Sequence, residues 1–307
     1  MIQIGLVGVG KIAHDQHIPA INADPRFQLV AAASRSQPDL GGIPVFHDIE
    51  AMVKNGPAFD AVALCTPPQA RRETALSALR AGKHVFLEKP PGATVSEVAE
   101  LAAVAREHGV VLFTSWHSRF AAGVPQAKAW LASRKVRKLA IEWREDVRRW
   151  HPGQTWIWRA GGMGVFDPAI NALSILTEIM PAEVFVTDAR LRVPENVQSP
   201  IAGHVAMTTL GGAEITADLD FLQTGPQTWD ITAWTDDGVL KLSLGGAELT
   251  IDGAAVEVGE NREYPGLYDR FAGLIADGRS EVDARPLALV ADAFLVGTRE
   301  VVEAFVE

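Results

Sequence analysis

Gly8-Val9-Gly10-Lys11-Ile12-Ala13 follows the apolar run Ile2-Gln3-Ile4-Gly5-Leu6-Val7 and leads into Ile12-Ala13-His14-Asp15-Gln16-His17-Ile18. The run reads as a buried parallel strand, and the segment after the glycines as the start of a helix. Strand, glycine turn, helix is the setting in which a GxGxxG/A pattern signals dinucleotide binding. Gly8 makes the tight turn and Gly10 lets the backbone approach a pyrophosphate. Ala13 replaces the third glycine and still permits close helix–strand packing. The helix N-terminus then offers N–H groups and a positive dipole end to phosphate. The pattern alone also fits an ordinary glycine turn; its place directly after a strand favours the nucleotide. Val9, Lys11 and Ile12 belong to the same turn and count as expected cofactor contacts.

Working outward, Phe27 to Ala33 is a second apolar strand. A domain selective for NAD places Asp or Glu at this strand's end, bonded to the ribose hydroxyls. Here Ser34-Arg35-Ser36 follow. Arg35 can pair with a 2′-phosphate through its planar fork, and Ser34 can donate a hydroxyl. NADP is therefore expected over NAD, although an arginine in a polar loop can also be a plain surface residue. Further strands read from Asp60 to Cys65, from His84 to Leu87 and from Val110 to Ser115. Helices from about Gln69 to Ala81 and Val95 to His108 lie between them. This alternation predicts a parallel, doubly wound sheet of Rossmann type. Ligands bind such sheets at the carboxyl ends of the strands, so Cys65-Thr66-Pro67 and Glu88-Lys89-Pro90 should share a rim with the glycine turn. Lys89, rigidified by two following prolines, is expected to face the cofactor groove rather than solvent, and one X-Pro bond there can be cis.

The chain has 307 residues, enough for two domains, and its composition is that of a soluble globular protein. A formal net charge of -10 disfavours non-specific binding to nucleic acid or anionic membrane. The single cysteine excludes an intrachain disulfide and a Cys-based zinc site. No apolar stretch is long enough to span a bilayer, and the N-terminus enters a strand directly, so a cytoplasmic protein is expected. His14 and His17 have the spacing of a metal pair, but with no third ligand nearby they read as helix residues and no metal is expected.

From about Phe120 the pattern changes. A helix from Val124 to Ser133 and a strand from Lys138 to Val147 lead to a loop rich in Trp and Gly. A helix begins near Asp167, and a series of strands between Glu183 and Ile251 follows. Helices from about Tyr264 to Asp277 and Pro286 to Phe305 close the chain. The expectation is an α/β protein: a dinucleotide-binding domain over residues 1–119, then an α+β domain with an open, mostly antiparallel sheet over 120–307. Asp167 and Asn171 stand four apart near a helix start and share one face. Asp167 could simply favour the helix N-terminus. The preceding Gly161-Gly162-Met163-Gly164, which would let backbone approach a ligand, points to chemistry.

The glycine turn, Glu88-Lys89-Pro90 and Gly161 to Asn171 together resemble the glucose–fructose oxidoreductase/inositol dehydrogenase family. Lys11-Ile12-Ala13, Trp116-His117-Ser118-Arg119, Glu145 to Gln154 and Val290-Ala291-Asp292-Ala293-Phe294 are similar to its bacterial aldose 1-dehydrogenases, which act on L-arabinose or D-galactose. The similarity covers the whole chain. It implies that Lys89, Asp167 and Asn171 are catalytic. The broader family has His four residues after the aspartate, where this chain has Asn171, in keeping with the aldose subgroup. The resemblance further implies that His117, Glu145, Trp150, His151 and Trp229 contact the sugar with Lys89, Asp167 and Asn171, and that Trp158 joins the cofactor contacts. Each has a plainer alternative: Trp229 as core, Trp156 and Trp158 as loop packing, Glu145 and Asp146 as a surface ion-pair cluster with Arg148 and Arg149. The expected activity is NADP-preferring oxidation of an aldopyranose at the anomeric carbon, with NAD also accepted, in a homodimer. The rivals are a relative oxidising another sugar or an inositol, and a non-enzymatic NADP-binding sensor.

Overall fold

Short apolar runs alternating with helices build the first sheet. In the computed structural model, which describes residues 1–307, its strands are β1 (Ile2–Val7), β2 (Phe27–Ala33), β3 (Val45–Phe46), β4 (Ala61–Leu64), β5 (His84–Leu87) and β6 (Leu112–Thr114). They pair in parallel in the order β3-β2-β1-β4-β5-β6. β1 is central, with β2 on one side and β4 on the other. The glycine turn therefore stands where the strand order reverses, the place at which an open α/β sheet binds its ligand. All four residues of β4 are buried, as in a sheet covered on both faces. Two of the covering helices start on side-chain caps: Asp48 accepts from the Ala51 N–H and Thr94 from the Glu97 N–H.

The helix expected after the glycines opens as a π-helical turn, Ala13–His17, before the α-helix Ile18–Ala23. Pro19 cannot donate to the carbonyl four residues back, and the Ile18 N–H reaches Ala13 O, one residue further than an α-helix allows.

The first unit is not closed by a single cut after Arg119. It comprises Met1–Trp116 together with Tyr264–Ala284; the second comprises His117–Glu263 and Arg285–Glu307. The returning segment belongs with the first sheet for two reasons. Tyr268 packs on Phe86 and Phe27, and Phe271 on Phe113, with ring centroids 5.3 to 6.0 Å apart. Glu281 also pairs with the outer edge of β6: Thr114 N–H donates to Glu281 O, and Glu281 N–H to Leu112 O, both at 3.0 Å. An edge that would otherwise be open is thereby covered.

In the second unit β7 (Val136–Arg144), β8 (Val184–Pro194), β9 (Ala202–Thr209), β10 (Glu214–Asp220), β11 (Thr228–Thr235), β12 (Gly238–Ser243), β13 (Glu248–Ile251), β14 (Ala254–Ala255) and β15 (Thr298–Val302) form one sheet. Its order is β14-β13-β12-β11-β7-β10-β9-β8-β15. Only β7/β10 and β8/β15 are parallel pairs. Leu139, Ile141 and Trp143 of β7 and Ile215, Ala217 and Leu219 of β10 alternate inward. The helices Val124–Leu131, Phe166–Ile179 and Arg285–Val296 supply the facing apolar residues. The intervening residues, such as Glu142, Thr216 and Asp218, lie on the opposite, more exposed face. The last helix, expected to reach Phe305, stops at Val296. At Gly297 an added Cβ would lie 2.4 Å from Ala293 O, and the β-branched run that follows pairs with β8 as β15. No helix is long and apolar enough to cross a membrane.

Candidate active site

In the first unit the turn after β1 is built for close approach. Gly8 has φ +89°, and a Cβ there would lie 2.8 Å from Thr66 N and 2.9 Å from Cys65 C. The loop after β4 therefore presses against the glycine turn. At Gly10 an added Cβ would meet nothing within 4 Å, so its open side is free to take a ligand. Gly10 O accepts from the His14 N–H at 3.2 Å as the helical turn begins. Val9 is half-buried, and Lys11 and Ile12 are exposed, with Lys11 paired to Asp15. At the end of β2 the Ser34 N–H donates to Phe46 O at 2.8 Å, and Ser34 and Ser36 share a hydroxyl–hydroxyl bond of 3.0 Å. Arg35 between them is exposed. The bare glycine turn and the helix start fit a dinucleotide, with N–H groups for the pyrophosphate.

Lys89 follows β5, half-buried, and the Lys89–Pro90 bond is cis. Its backbone is fixed from several directions. The Lys89 N–H donates to Glu88 Oε2 at 2.6 Å. Arg71, 2 % exposed, donates through Nη1 to Glu88 O and Pro90 O and through Nη2 to Thr66 O. Glu88 is itself buried and turned toward protein: Oε1 accepts from the Tyr264 hydroxyl at 2.7 Å and lies 3.2 Å from His17 Nε2. His17 Nδ1 is 2.7 Å from the Tyr268 hydroxyl. The two histidines with metal-pair spacing are thus separated, His14 exposed and His17 fully buried. Both tyrosines of the chain stand four apart on one helix face and both enter this cluster. That spacing was a signal that sequence reasoning passed over, as was the arginine in an otherwise apolar helix face.

Burial lowers the His17 imidazole, but the neighbouring Cys65, Tyr268 and Glu88 groups outweigh it, so His17 sits well above its ordinary 6.5. Burial pushes the Tyr268 hydroxyl up to about 12. A group that binds its proton more tightly when folded contributes stability that is whole below its unfolded value of 6.5 and lost as pH rises through the raised folded value. The urea midpoint of the wild type should therefore fall as pH climbs from neutral into the alkaline range, and Glu88→Gln should flatten that fall. A wild-type midpoint insensitive to pH over this window would mean that His17 is neutral in the fold.

In the second unit Asp167 is in the first turn of Phe166–Ile179 and 3 % exposed. No side-chain cap bond starts this helix, so capping does not explain the residue. Two of the preceding glycines, expected to let backbone approach a ligand, are needed for close packing against protein. A Cβ at Gly162 would lie 2.3 Å from Trp156 O, and one at Gly164, with φ +53°, would lie 2.2 Å from Pro200 O. They let this loop pack tightly and so fix where the helix begins.

Asp167 Oδ2 lies 3.7 Å from His151 Nδ1, and His151 Nε2 lies 3.1 Å from Glu145 Oε1. Trp229 Nε1–H donates to Glu145 Oε2 at 3.0 Å. Glu145, one residue beyond β7, is 4 % exposed, so it is no surface ion-pair residue. Trp229 is held in register on β11 opposite Trp143 of β7. Trp150 meets Trp229 edge to face at 5.3 Å and donates to Gln227 Oε1 at 3.3 Å. Gln227, which sequence reasoning missed, also accepts from the Asp146 N–H at 2.6 Å. Asn171 stands one helical turn after Asp167, half-buried. His117 Nδ1 lies 3.3 Å from Glu263 Oε2. Arg119, two residues on, ties the His117 turn to the Asp167 helix through Ser174 O and Thr177 Oγ1, both at 3.0 Å. Trp158 packs edge-on to Phe221 at 5.7 Å and against Phe305 at 5.0 Å. Within this unit the structure joins Glu145, Trp229, His151 and Asp167 into one connected row with Trp150 beside it.

Residues 2–115 match the GFO/IDH/MocA oxidoreductase family, NAD-binding Rossmann fold. Galactose 1-dehydrogenase of Pseudomonas fluorescens is 47 % identical over 304 residues, 99 % of this chain and 98 % of that one. The crystal structure of D-galactose-1-dehydrogenase from Rhizobium etli superposes with a TM-score of 0.94 at 54 % identity, covering 99 % of this chain and 97 % of that one. KijD10, a 3-ketoreductase from Actinomadura kijaniata in complex with NADP and TDP-benzene, shares the fold at 20 % identity, with a TM-score of 0.82 over 98 % of this chain and 99 % of its own.

Proposed function

Because the chain belongs to the GFO/IDH/MocA oxidoreductase family, we propose that it is an aldose 1-dehydrogenase. In this reading it oxidises the anomeric carbon of D-galactose or L-arabinose to the lactone and prefers NADP to NAD. The observation that carries the sugar assignment is the connected row Asp167–His151–Glu145–Trp229, with buried carboxylates and half-buried rings, and the Trp150 indole beside it. A pyranose needs polar partners for a dense set of hydroxyls and an apolar face for its ring C–H groups, and this row offers both. The similarity to galactose 1-dehydrogenases supports D-galactose as a substrate. L-Arabinose has the same ring configuration without the hydroxymethyl group, a difference that apolar packing discriminates only modestly.

When bound, a nicotinamide dinucleotide would supply the acceptor for the hydride released from C1. Asp167 accepts the proton of the anomeric hydroxyl. Lys89 supplies positive charge to that oxygen as the proton leaves, and its fixed backbone limits where the ammonium can go. Asn171 orients the hydroxyl through its amide. His117, Glu145 and His151 bond the remaining hydroxyls, and Trp150 and Trp229 face the ring. Gly8 to Ile12, Ser34, Arg35, the Cys65-Thr66-Pro67 loop and the Glu88-Lys89 turn hold the dinucleotide, with Trp158 as a further contact. The test is product identity: anomeric oxidation yields a lactone that opens to an aldonic acid, whereas oxidation at any other carbon leaves the aldehyde in place.

The cofactor preference has its own test. Arg35→Asp removes the partner for a 2′-phosphate and adds a repelling carboxylate. A charge-assisted bond of roughly 1.5–3 kcal/mol translates into a drop of about 10- to 100-fold in the ratio of kcat/KM with NADP to that with NAD. An unchanged ratio would remove Arg35 from the cofactor site.

A further inference from the structure

The turn that presents Trp150 and His151 is braced by the segment after β15, and we propose that Phe305 in that segment is a positioning residue for sugar binding. The inference rests on the dehydrogenase reading above, in which those two side chains meet the pyranose, and deepens it.

The turn has little backbone support of its own. Val147–Trp150 is a helix of four residues, and a helix so short is marginal in water without tertiary contacts. Its internal bonds are the Asp146 cap on the Arg148 N–H, the Trp150 N–H to Asp146 O at 3.1 Å and the His151 N–H to Val147 O at 2.8 Å. His151-Pro152-Gly153 follow, with Gly153 at φ +67°. A Cβ at Gly153 would meet nothing within 4 Å, so no neighbour packs against the bend on that side. Arg148, Arg149, Pro152 and Gly153 are exposed. Exposed backbone with few apolar contacts is where local opening costs least. Gln227 and Trp229 meet the Trp150 ring, but neither bonds the backbone of residues 150–153.

Residues 305–307 supply support on both flanks of the turn. Before it, Arg148 Nη2 donates to Val306 O at 2.8 Å, and the guanidinium lies over the Phe305 ring, 4.8 Å from its centroid. After it, the Gly153 N–H donates to Glu307 Oε1, and the Trp158 ring packs on Phe305 at 5.0 Å. Phe305 is itself pinned. Its N–H donates to Asn196 Oδ1 at 2.9 Å, and its carbonyl accepts from Asn196 Nδ2 at 2.7 Å. Asn196 stands in the turn after β8, next to Glu195, whose N–H donates to Val302 O at 3.1 Å. The brace therefore runs from the β8/β15 edge of the sheet, through Asn196 and Phe305, to Arg148 and Trp158. Phe305, Asn196 and Glu307 are not assigned to the sugar or the dinucleotide. A turn held in place before the sugar arrives loses less freedom when the sugar binds, so the brace acts on affinity.

Two measurements on the full chain test the brace. The first needs no activity: in Phe305→Ala, hydrogen exchange at the amides of residues 148–154 should quicken, while the strands of both sheets exchange as in the wild type. Unchanged exchange in the turn overturns the proposal. The second is a steady-state comparison at saturating dinucleotide. Phe305→Ala removes an aromatic pair and a cation–π contact and should raise KM for D-galactose about 10-fold, with kcat within a few-fold of the wild type. Asn196→Ala unpins Phe305 without touching the turn and should move KM in the same direction. Phe305→Tyr keeps the ring and should restore KM to near the wild-type value. A purely structural role would instead lower the urea midpoint and kcat and leave KM unchanged; that pattern overturns the proposal, as does an unchanged KM in both Phe305→Ala and Asn196→Ala. If the wild type oxidises no aldose, the dehydrogenase reading fails and takes the sugar role with it, and the exchange measurement separates that failure from a brace that does not hold the turn.

Discussion

Asp167→Asn should lower kcat for aldose oxidation by about 10²–10⁴-fold, the usual contribution of a positioned general base. The amide keeps the shape of the carboxylate and removes its ability to take a proton. Asp167 lies in the first turn of a long buried helix whose start is set by Gly162 and Gly164 packing on Trp156 O, Ile157 O and Pro200 O. An isosteric change there disturbs little of the fold. Dinucleotide binding, assigned to residues of the first unit and to Trp158, should stay within a few-fold of the wild type by equilibrium titration. Near-normal turnover in this variant would remove Asp167 as the base.

Arg71→Met should destabilise the first unit by about 3–5 kcal/mol. The guanidinium is 2 % exposed and reaches the carbonyls of Thr66, Glu88 and Pro90. A buried acceptor left without its donor costs about 1–3 kcal/mol, and this substitution strands several at once. Arg71→Lys should fall between wild type and Arg71→Met, because an ammonium keeps the charge but cannot present a fork to carbonyls in different directions. Urea denaturation gives the comparison. A loss under about 1 kcal/mol for Arg71→Met would mean that those carbonyls find other donors, and that the turn carrying Lys89 is held by Glu88 alone.

Much of the nucleotide unit was legible because its signals are local. Each strand of the first sheet is a short apolar run, each covering helix has its own period, and Gly8 needs its positive φ whatever lies elsewhere. Asp167 and Asn171 could be paired from their spacing alone. What escaped the sequence was long-range. Nothing near Tyr264 says that it returns to bond Glu88 across 176 residues, or that Glu281 pairs with β6. His17, on a helix that otherwise looks exposed, is buried because those two tyrosines come back to meet it. Gly162 and Gly164 carried a true signal of close approach, but a glycine does not tell whether the approaching atoms are ligand or protein. The coupling of Trp229 to Glu145 spans 84 residues and depends on the β7/β11 register. The final strand was masked by the helical run before it, which Gly297 ends.

The most direct measurement is kcat/KM for D-galactose, L-arabinose, D-xylose, D-glucose and myo-inositol, each with NADP and with NAD, with the product of every active pair identified. The account predicts oxidation of D-galactose and L-arabinose to lactones that open to aldonic acids, faster with NADP. Activity confined to myo-inositol, or a product that keeps its aldehyde, would contradict it.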